Sequence, residues 1–474
     1  MEQLSGLDAA FVHQDSRRTP MHISALLIYD TGSGGQRTLD REGLARLASQ
    51  RLGRFPLFRR RLYRPPMGMD APYWVEQVAP DWHHHIEEYS LTPAGDWSAL
   101  QRLVGELHGA RMNLDLPLWE MHLVHGLSGA PGLPRHCQAL MVKIHHSAID
   151  GIALAGIIDA LHRPEPEPGG ARGREGAPPS QWQLWARANL NSMSRQLKFA
   201  ETVRKLVPGV LRARESRQQF ADLPAVSGSG ARFNARVGPG RSTGAVLLPL
   251  DEVLAIKRGV GRVTLNDIAM ACVSGALREY LGRYRALPKK SLASGVPINL
   301  RKPGEDGAQG NRIATMVVGL ATPVADPVER LRMIHRYAVA GKKQIAALGT
   351  GTIMDISDSL PPRMLAEGIR TMALASRFGE MPVPFHTMIS NVPGPPYALH
   401  LEGARLVVPL GFGPVRDNMG LFHIVSNSES MLSLSFCACA RLMPDAAFYQ
   451  RCLQGAFTEL LAAARRPAEN SPLS

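Results

Sequence analysis

The stretch "RPEPEPGGARGREGAPPS" at 163–180 limits the fold of this chain more than any other feature. Its prolines remove backbone donors and its glycines widen the accessible backbone space, so neither a helix nor a strand should run through it. It reads as a mobile linker, and the chain must organise itself on either side. Before it, "HISALLIYD" (22–30), "WEMHLVHGL" (119–127) and "CQALMVKIHH" (137–146) read as strands. "LDREGLARLASQRLG" (39–53), "WSALQRLVGELHGA" (97–110) and "IALAGIIDAL" (152–161) carry the helical period. That period puts Leu44, Leu47, Ala48 and Leu52 on one face of the first helix, and Leu100, Leu103, Val104 and Leu107 on one face of the second.

After the linker, residues 181–219 read as helical. Trp182, Trp185, Leu190, Met193, Leu197 and Phe199 are interspersed there with Arg187, Arg195, Lys198, Arg204, Lys205, Arg212 and Arg214. A second Gly/Ser/Pro-containing run leads into the strand "AVLLPL" (245–250) and the helix "DEVLAIKRG" (251–259). Alternation resumes with a helix over 266–281, strands over 292–300 and 314–322, helices near 327–345 and 362–377, several strands, and a closing helix over 447–464. With 474 residues the chain is too long for one ordinary core. The expected organisation is an α/β (α+β) pair of domains, 1–162 and 244–474, joined by a linker and basic helical connector over 163–243.

Composition narrows the partners. Lys and Arg exceed Asp and Glu by 13, which favours anionic partners, although no basic-aromatic motif points to nucleic acid. The five cysteines (Cys137, Cys272, Cys437, Cys439, Cys452) are scattered through mostly apolar runs, which argues against a disulfide framework or a zinc site and for a reducing compartment. The amino terminus lacks the basic start and apolar run of a secretory signal, and no segment reaches the roughly 18–20 apolar residues of a membrane span. Action on membrane lipid would have to come from the side.

The segment with the most chemistry is "KIHHSAIDG" (143–151). Imidazole, with an ordinary pKa of about 6.5, is the usual general base near neutral pH. His146 falls where a strand gives way to a turn, and Gly151 permits the bend. From spacing alone two readings stay open: a catalytic base on a shaped loop, or a strand-to-helix turn with incidental histidines. A metal site fits neither, because neighbours on a strand point to opposite faces and no third ligand is evident. "GRSTG" (240–244) matches a serine-nucleophile pattern, but it is expected in a loop before a strand and not at a strand-to-helix elbow.

The same segment resembles the HHxxxDG signature of acyltransferases built like chloramphenicol acetyltransferase, most closely the bacterial wax ester synthase/diacylglycerol acyltransferase family. "LSGLDAAFVHQDSRRTPMHI" (4–23), "PLWEMHLVHGL" (117–127), "LNDIAMACVSGALREYL" (265–281), "VPINLR" (296–301), "GNRIATMVVGLAT" (310–322) and "SNVPGPPYALHLEGARL" (390–406) agree with it in order. Asp115 lies closer to Pro117 than the family pattern has it, and "SNSESMLSLSF" lacks the usual tyrosine-glycine turn. The fold implied is two chloramphenicol acetyltransferase-like domains, with mixed sheets flanked by helices.

The resemblance implies transfer of a fatty acyl group from acyl-CoA, as co-substrate, to diacylglycerol or a long-chain alcohol, with no further cofactor and no metal. His146 would be the general base. Asp150 would turn away to pair with an arginine, for which Arg301 is the choice, and Gly151 and His145 would support the loop. Asn266 and Asp267 open a helix, where side-chain oxygens cap free N–H groups, or else border the substrate. Ser390 and Asn391 would approach the cleft from the carboxyl-terminal side, while Pro117, Leu118 and Trp119 pack the core. The basic connector suits an anionic membrane or lipid-inclusion surface, giving a cytoplasmic protein held peripherally. Two rivals are a carrier-protein-dependent condensing enzyme of the same fold and a non-catalytic coat on lipid inclusions.

Overall fold

The computed structural model describes residues 2–32, 38–65, 70–76, 81–130, 132–149, 151–163, 180, 182–183, 185–187, 191, 230–299, 313–348, 368, 371, 385–394 and 397–466. The first half contains β1 (Glu2–Gln3), α1 (Gly6–Gln14), β2 (His22–Asp30), α2 (Arg41–Leu52), β3 (Arg60–Tyr63), β4 (Tyr73–Glu76), β5 (Ile86–Gly95), α3 (Trp97–Gly109), β6 (Trp119–Leu127), β7 (Cys137–His145) and α4 (Gly151–His162). The second contains β8 (Arg241–Pro249), α5 (Leu250–Val260), α6 (Leu265–Arg283), β9 (Ala293–Asn299), β10 (Ile313–Gly319) and α7 (Pro327–Leu348). It continues with β11 (Thr387–Asn391), β12 (His400–Leu401), β13 (Ala404–Phe412), β14 (Leu421–Asn427), β15 (Met431–Cys439) and α8 (Ala446–Ala464).

The helices begin where side chains can satisfy free N–H groups. Asp40 accepts from Gly43 N at 2.7 Å, Asp96 from Ala99 N at 2.9 Å and Asp445 from Phe448 N at 2.9 Å. Thr264 and Asp267 form a reciprocal capping box at the start of α6. The faces anticipated for α2 and α3 point inward: Leu44, Ala48, Leu52, Leu100 and Val104 are buried.

Two mixed six-stranded sheets carry the molecule, ordered β12-β13-β2-β7-β6-β5 and β10-β9-β11-β14-β15-β8. The first recruits β12 and β13 from the second half, pairing β13 antiparallel to β2 from Arg405 opposite Asp30 to Phe412 opposite Ser24. The two sheets then meet through an apolar layer that includes Leu26, Ile28, Val104, Phe412, Phe422 and Ile424. The atypical "SNSESMLSLSF" stretch has a use at this seam. Ser433 Oγ donates to Pro409 O at 2.8 Å and Ser435 Oγ to Gly411 O at 2.6 Å, so these serines bond one sheet to the other. A Cβ at Gly411 would lie 2.7 Å from Ile424 Cγ2, so only glycine permits this approach.

Some expectations need adjustment. The segment 6–14, not assigned to a helix from the sequence, is α1, capped by Ser5, which accepts from Asp8 N at 3.1 Å. β8 begins at Arg241, so all of "GRSTG" but Gly240 lies within a strand and not in a loop, and Ser242 occupies no elbow. Asp115 is exposed and pairs with Arg64 at 2.5 Å. Residues 362–377 and the connector over 181–217 lie almost wholly outside the described residues.

Candidate active site

Every residue of β7 is buried, yet the strand includes Lys143 and His145. They lie two apart and so share a face. Lys143 Nζ, 1% exposed, donates to Glu120 Oε2 and to Ala110 O, each at 2.8 Å. A buried ammonium is tolerated only with such partners. Burial pushes the Glu120 carboxyl up, but His122 and Lys143 outweigh it and bring the pKa down to about 2.

His145 is sealed at 0% exposure. Its Nδ1 meets Ser147 Oγ at 2.7 Å and accepts from Ser147 N at 3.2 Å, while Nε2 lies 3.6 Å from Asp15 Oδ2. Asp15 is also engaged by Arg111, and its Oδ2 accepts from Met21 N at 3.0 Å. Burial raises the Asp15 carboxyl, yet His145, the Met21 N–H and Arg111 together hold it below the usual carboxylate range. At 3.6 Å the His145 contact is long for a hydrogen bond, so the larger part comes from the other two.

β7 ends at His145, and the chain turns, with Ala148 N donating to His145 O at 2.9 Å. The turn carries His146 away from the sheet core. Its N–H donates to Met21 O at 2.8 Å, and its ring stacks on Phe11 with centroids 4.2 Å apart and planes within 10°. Met21 therefore links the two groups: its carbonyl holds His146 and its N–H is held by Asp15.

His146 is part-exposed and faces a cavity of about 590 Å³. Phe11 and Gln14 of α1, Leu154 and Ile158 of α4, Met388 and Ser390 of β11, and Pro409 and Leu410 of β13 help to line it. The wall is mainly apolar, with a few polar groups, a composition suited to a long hydrocarbon chain with one reactive end. At one side Tyr397 donates its hydroxyl proton to Asp159, which Arg163 also holds at 2.7 Å. The Tyr397 contact and Arg163 overcome burial and lower the Asp159 carboxyl.

The structure separates the residues anticipated together. His146 and Ser390 line the cavity; Asn391 is exposed and is not part of the lining. Asp267 caps α6 and meets His335 Nδ1 at 2.8 Å, and neither it nor Asn266 lines the cavity. Gly151 begins α4, whereas Asp150 and Arg301 lie outside the described residues. Trp119 and Leu118 are buried at 0% and 1%. Sequence reasoning missed Phe11, Asp15, Met21 and Arg416, the last of which also lines the cavity. The first three stand in the quoted 4–23 stretch, but no spacing rule connects them to a turn some 125 residues later. Among the described residues no cluster of three or more His, Cys, Asp or Glu could hold a metal ion, and no helix is long and apolar enough to cross a membrane.

Comparison with known proteins agrees with this geometry. The wax ester synthase/diacylglycerol acyltransferase catalytic domain matches residues 4–269, and the C-terminal domain of the same family matches 309–461. A probable diacylglycerol O-acyltransferase of Mycobacterium tuberculosis is 28% identical over 447 residues, covering 94% of this chain and 95% of that protein. In fold, the chain resembles the wax ester synthase/diacylglycerol acyltransferase of Marinobacter aquaeolei VT8, with a TM-score of 0.67 at 23% identity over 98% of this chain and 100% of that one. It also resembles the trichothecene 15-O-acetyltransferase of Fusarium sporotrichioides, with a TM-score of 0.60 at 13% identity over 98% and 95%. The chain is therefore an acyltransferase with a chloramphenicol acetyltransferase-like fold, and it belongs to the wax ester synthase/diacylglycerol acyltransferase family.

Proposed function

We propose that this enzyme transfers a fatty acyl group from acyl-CoA to diacylglycerol, a long-chain alcohol or both, with His146 as general base. The observation that carries this reading is the contrast between adjacent histidines: His145 sealed, His146 open to a largely apolar cavity of about 590 Å³. The imidazole takes the hydroxyl proton as the acceptor oxygen attacks the thioester carbonyl. A carbon–oxygen bond forms and the carbon–sulfur bond breaks. The proton on His146 then passes to the departing thiolate, so no acyl-enzyme is needed. Residues 1–162 and 244–474 serve as the two acyltransferase-like domains, with Ser390 reaching the cavity from the second. Asp150 and Arg301 are retained as the loop-holding pair.

The enzyme would act from the cytoplasmic side, held peripherally on an anionic membrane or lipid-inclusion surface. Trp182 and Trp185, 70% and 42% exposed and stacked at 4.8 Å, support a lipid contact. Vesicle flotation of a Trp182→Ser/Trp185→Ser double variant tests it; flotation equal to that of the unaltered protein rejects the contact.

The main experiment offers labelled palmitoyl-CoA with hexadecanol and dioleoylglycerol in competition. Ester should form without any carrier protein, and His146→Ala should lower kcat by about 10²–10⁴-fold with the melting temperature retained. A carrier requirement would favour a condensing enzyme, and an unchanged rate would remove His146 from the chemistry. Product formation by the unaltered enzyme excludes a purely structural coat.

A further inference from the structure

Resting on acyl-CoA as the donor, we propose that Arg416 receives the phosphates of coenzyme A, and that the donor enters the cavity from this end. Arg416 lines the cavity, and among the described residues its guanidinium has one side-chain partner, Gln14 Oε1 at 3.4 Å. No carboxylate pairs with it among the described residues. The other charged side chain of the lining, Asp159, is by contrast matched by Arg163. A cation set against an apolar wall is costly unless an anion meets it. Burial lowers the Arg416 guanidinium from its ordinary pKa, which reflects that cost. The residue is nonetheless part-exposed, and it contributes to the cavity lining.

Strand register locates the group. Phe412 pairs with Ser24, so the chain beyond it runs to the level of Met21 and His22, and His22 pairs with His145. Arg416 thus lies at the end of the cavity where His146 sits. Tyr397 and Asp159 lie toward the other end, where β13 pairs with Asp30. Charge around the Arg416 end also favours an anion. Arg18 holds Asp417, Val237 N donates to Asp417 Oδ1 at 2.9 Å, and exposed Arg17 and Arg236 flank these contacts. Asp417 is the carboxylate among them, and it is already engaged. The planar guanidinium, with its forked donors, matches phosphate oxygens. A neutral acceptor makes no use of it.

The test compares palmitoyl-CoA with palmitoyl-pantetheine, which carries the same thioester without phosphate, at saturating hexadecanol. Arg416→Gln should raise the KM for palmitoyl-CoA at least tenfold and leave that for palmitoyl-pantetheine within twofold, while Arg416→Lys recovers part of the loss. Equal losses with both donors, or an unchanged KM for palmitoyl-CoA, overturn the assignment. Titration calorimetry with coenzyme A alone decides even where the unaltered enzyme makes no ester and the transfer reading fails. Binding weakened at least tenfold by Arg416→Gln supports the site, and binding that is absent from the unaltered protein or equal in the two proteins rejects it. Melting temperatures verify that the variants fold, and Arg416→Lys serves as the variant if the glutamine form does not.

Discussion

At the residue scale a buried group outside the cavity lining stands behind the site. Asp15 and its partner Arg111 form an ion pair whose carboxylate is 0% exposed, and the same carboxylate holds the Met21 N–H beneath the carbonyl that fixes His146. Asp15→Asn keeps the shape but removes the charge. Breaking a buried pair costs about 3–5 kcal/mol, and because Arg111 is 38% exposed and can reach water the low end applies. We expect a stability loss of about 3 kcal/mol, with kcat reduced about tenfold and KM for the acyl donor within twofold, since the cavity wall is untouched. Urea denaturation and steady-state kinetics check both; an unaltered kcat would detach Asp15 from the positioning of His146. That His145 and His146 point different ways was legible beforehand, because successive strand residues face opposite sides, whereas their roles came only from the family resemblance. Asp15 was not, since its role depends on a tertiary contact across 130 residues of chain.

At the element scale β2, β6, β7 and α2 to α4 were legible, β1 and β3 to β5 were not, and two further misses, α1 and the placement of β13, have physical causes. α1 escaped because it is apolar on more than one side: Ala9 and Val12 pack inward while Leu7 and Phe11 face the cavity. Local periodicity cannot report such a helix. β13 reads as a strand, but nothing in its alternation says that it joins the sheet of the first half; register is settled by partners far away. Asn266 and Asp267 were legible as a helix start and equally as a substrate contact. The capping box favours the first, and Thr264→Ala tests it. Loss of the Thr264 Oγ1 contact to Asp267 N should cost about 1 kcal/mol, with kcat and KM within twofold and Thr264→Ser restoring stability. A fall in kcat without a fall in melting temperature would instead place this turn beside the reacting groups.

At the scale of the whole molecule, both sheets rest on imidazoles kept neutral. His108 accepts from Ser24 of β2 and donates to Gly413 O just beyond β13, His162 meets Tyr29 at 2.8 Å in the first sheet, and His423 meets Tyr449 at 2.8 Å in the second. Burial lowers His108 to about 3, His162 to about 4 and His423 to about 3, and it also takes fully buried His22 well below its ordinary value. Unfolding restores a pKa near 6.5, so below that pH the unfolded chain binds protons that the folded one refuses. Stability must therefore fall as pH drops from about 6.5, by up to about 1.4 kcal/mol per pH unit for each group. Glu120 and Asp15 act elsewhere. Their depressed pKa values contribute stability present above the ordinary carboxylate range and lost only as pH falls through it, so they are silent between pH 6.5 and 5. With total stabilities commonly about 5–15 kcal/mol, four such histidines should bring the urea midpoint down steeply over that interval. His423→Gln, which keeps a polar group near Tyr449 but cannot titrate, should remove about a quarter of the slope that these four rings contribute while lowering the starting midpoint. A midpoint that stays level from pH 6.5 to 5 would mean that these rings protonate in place, and that the cores around them yield to admit the charge.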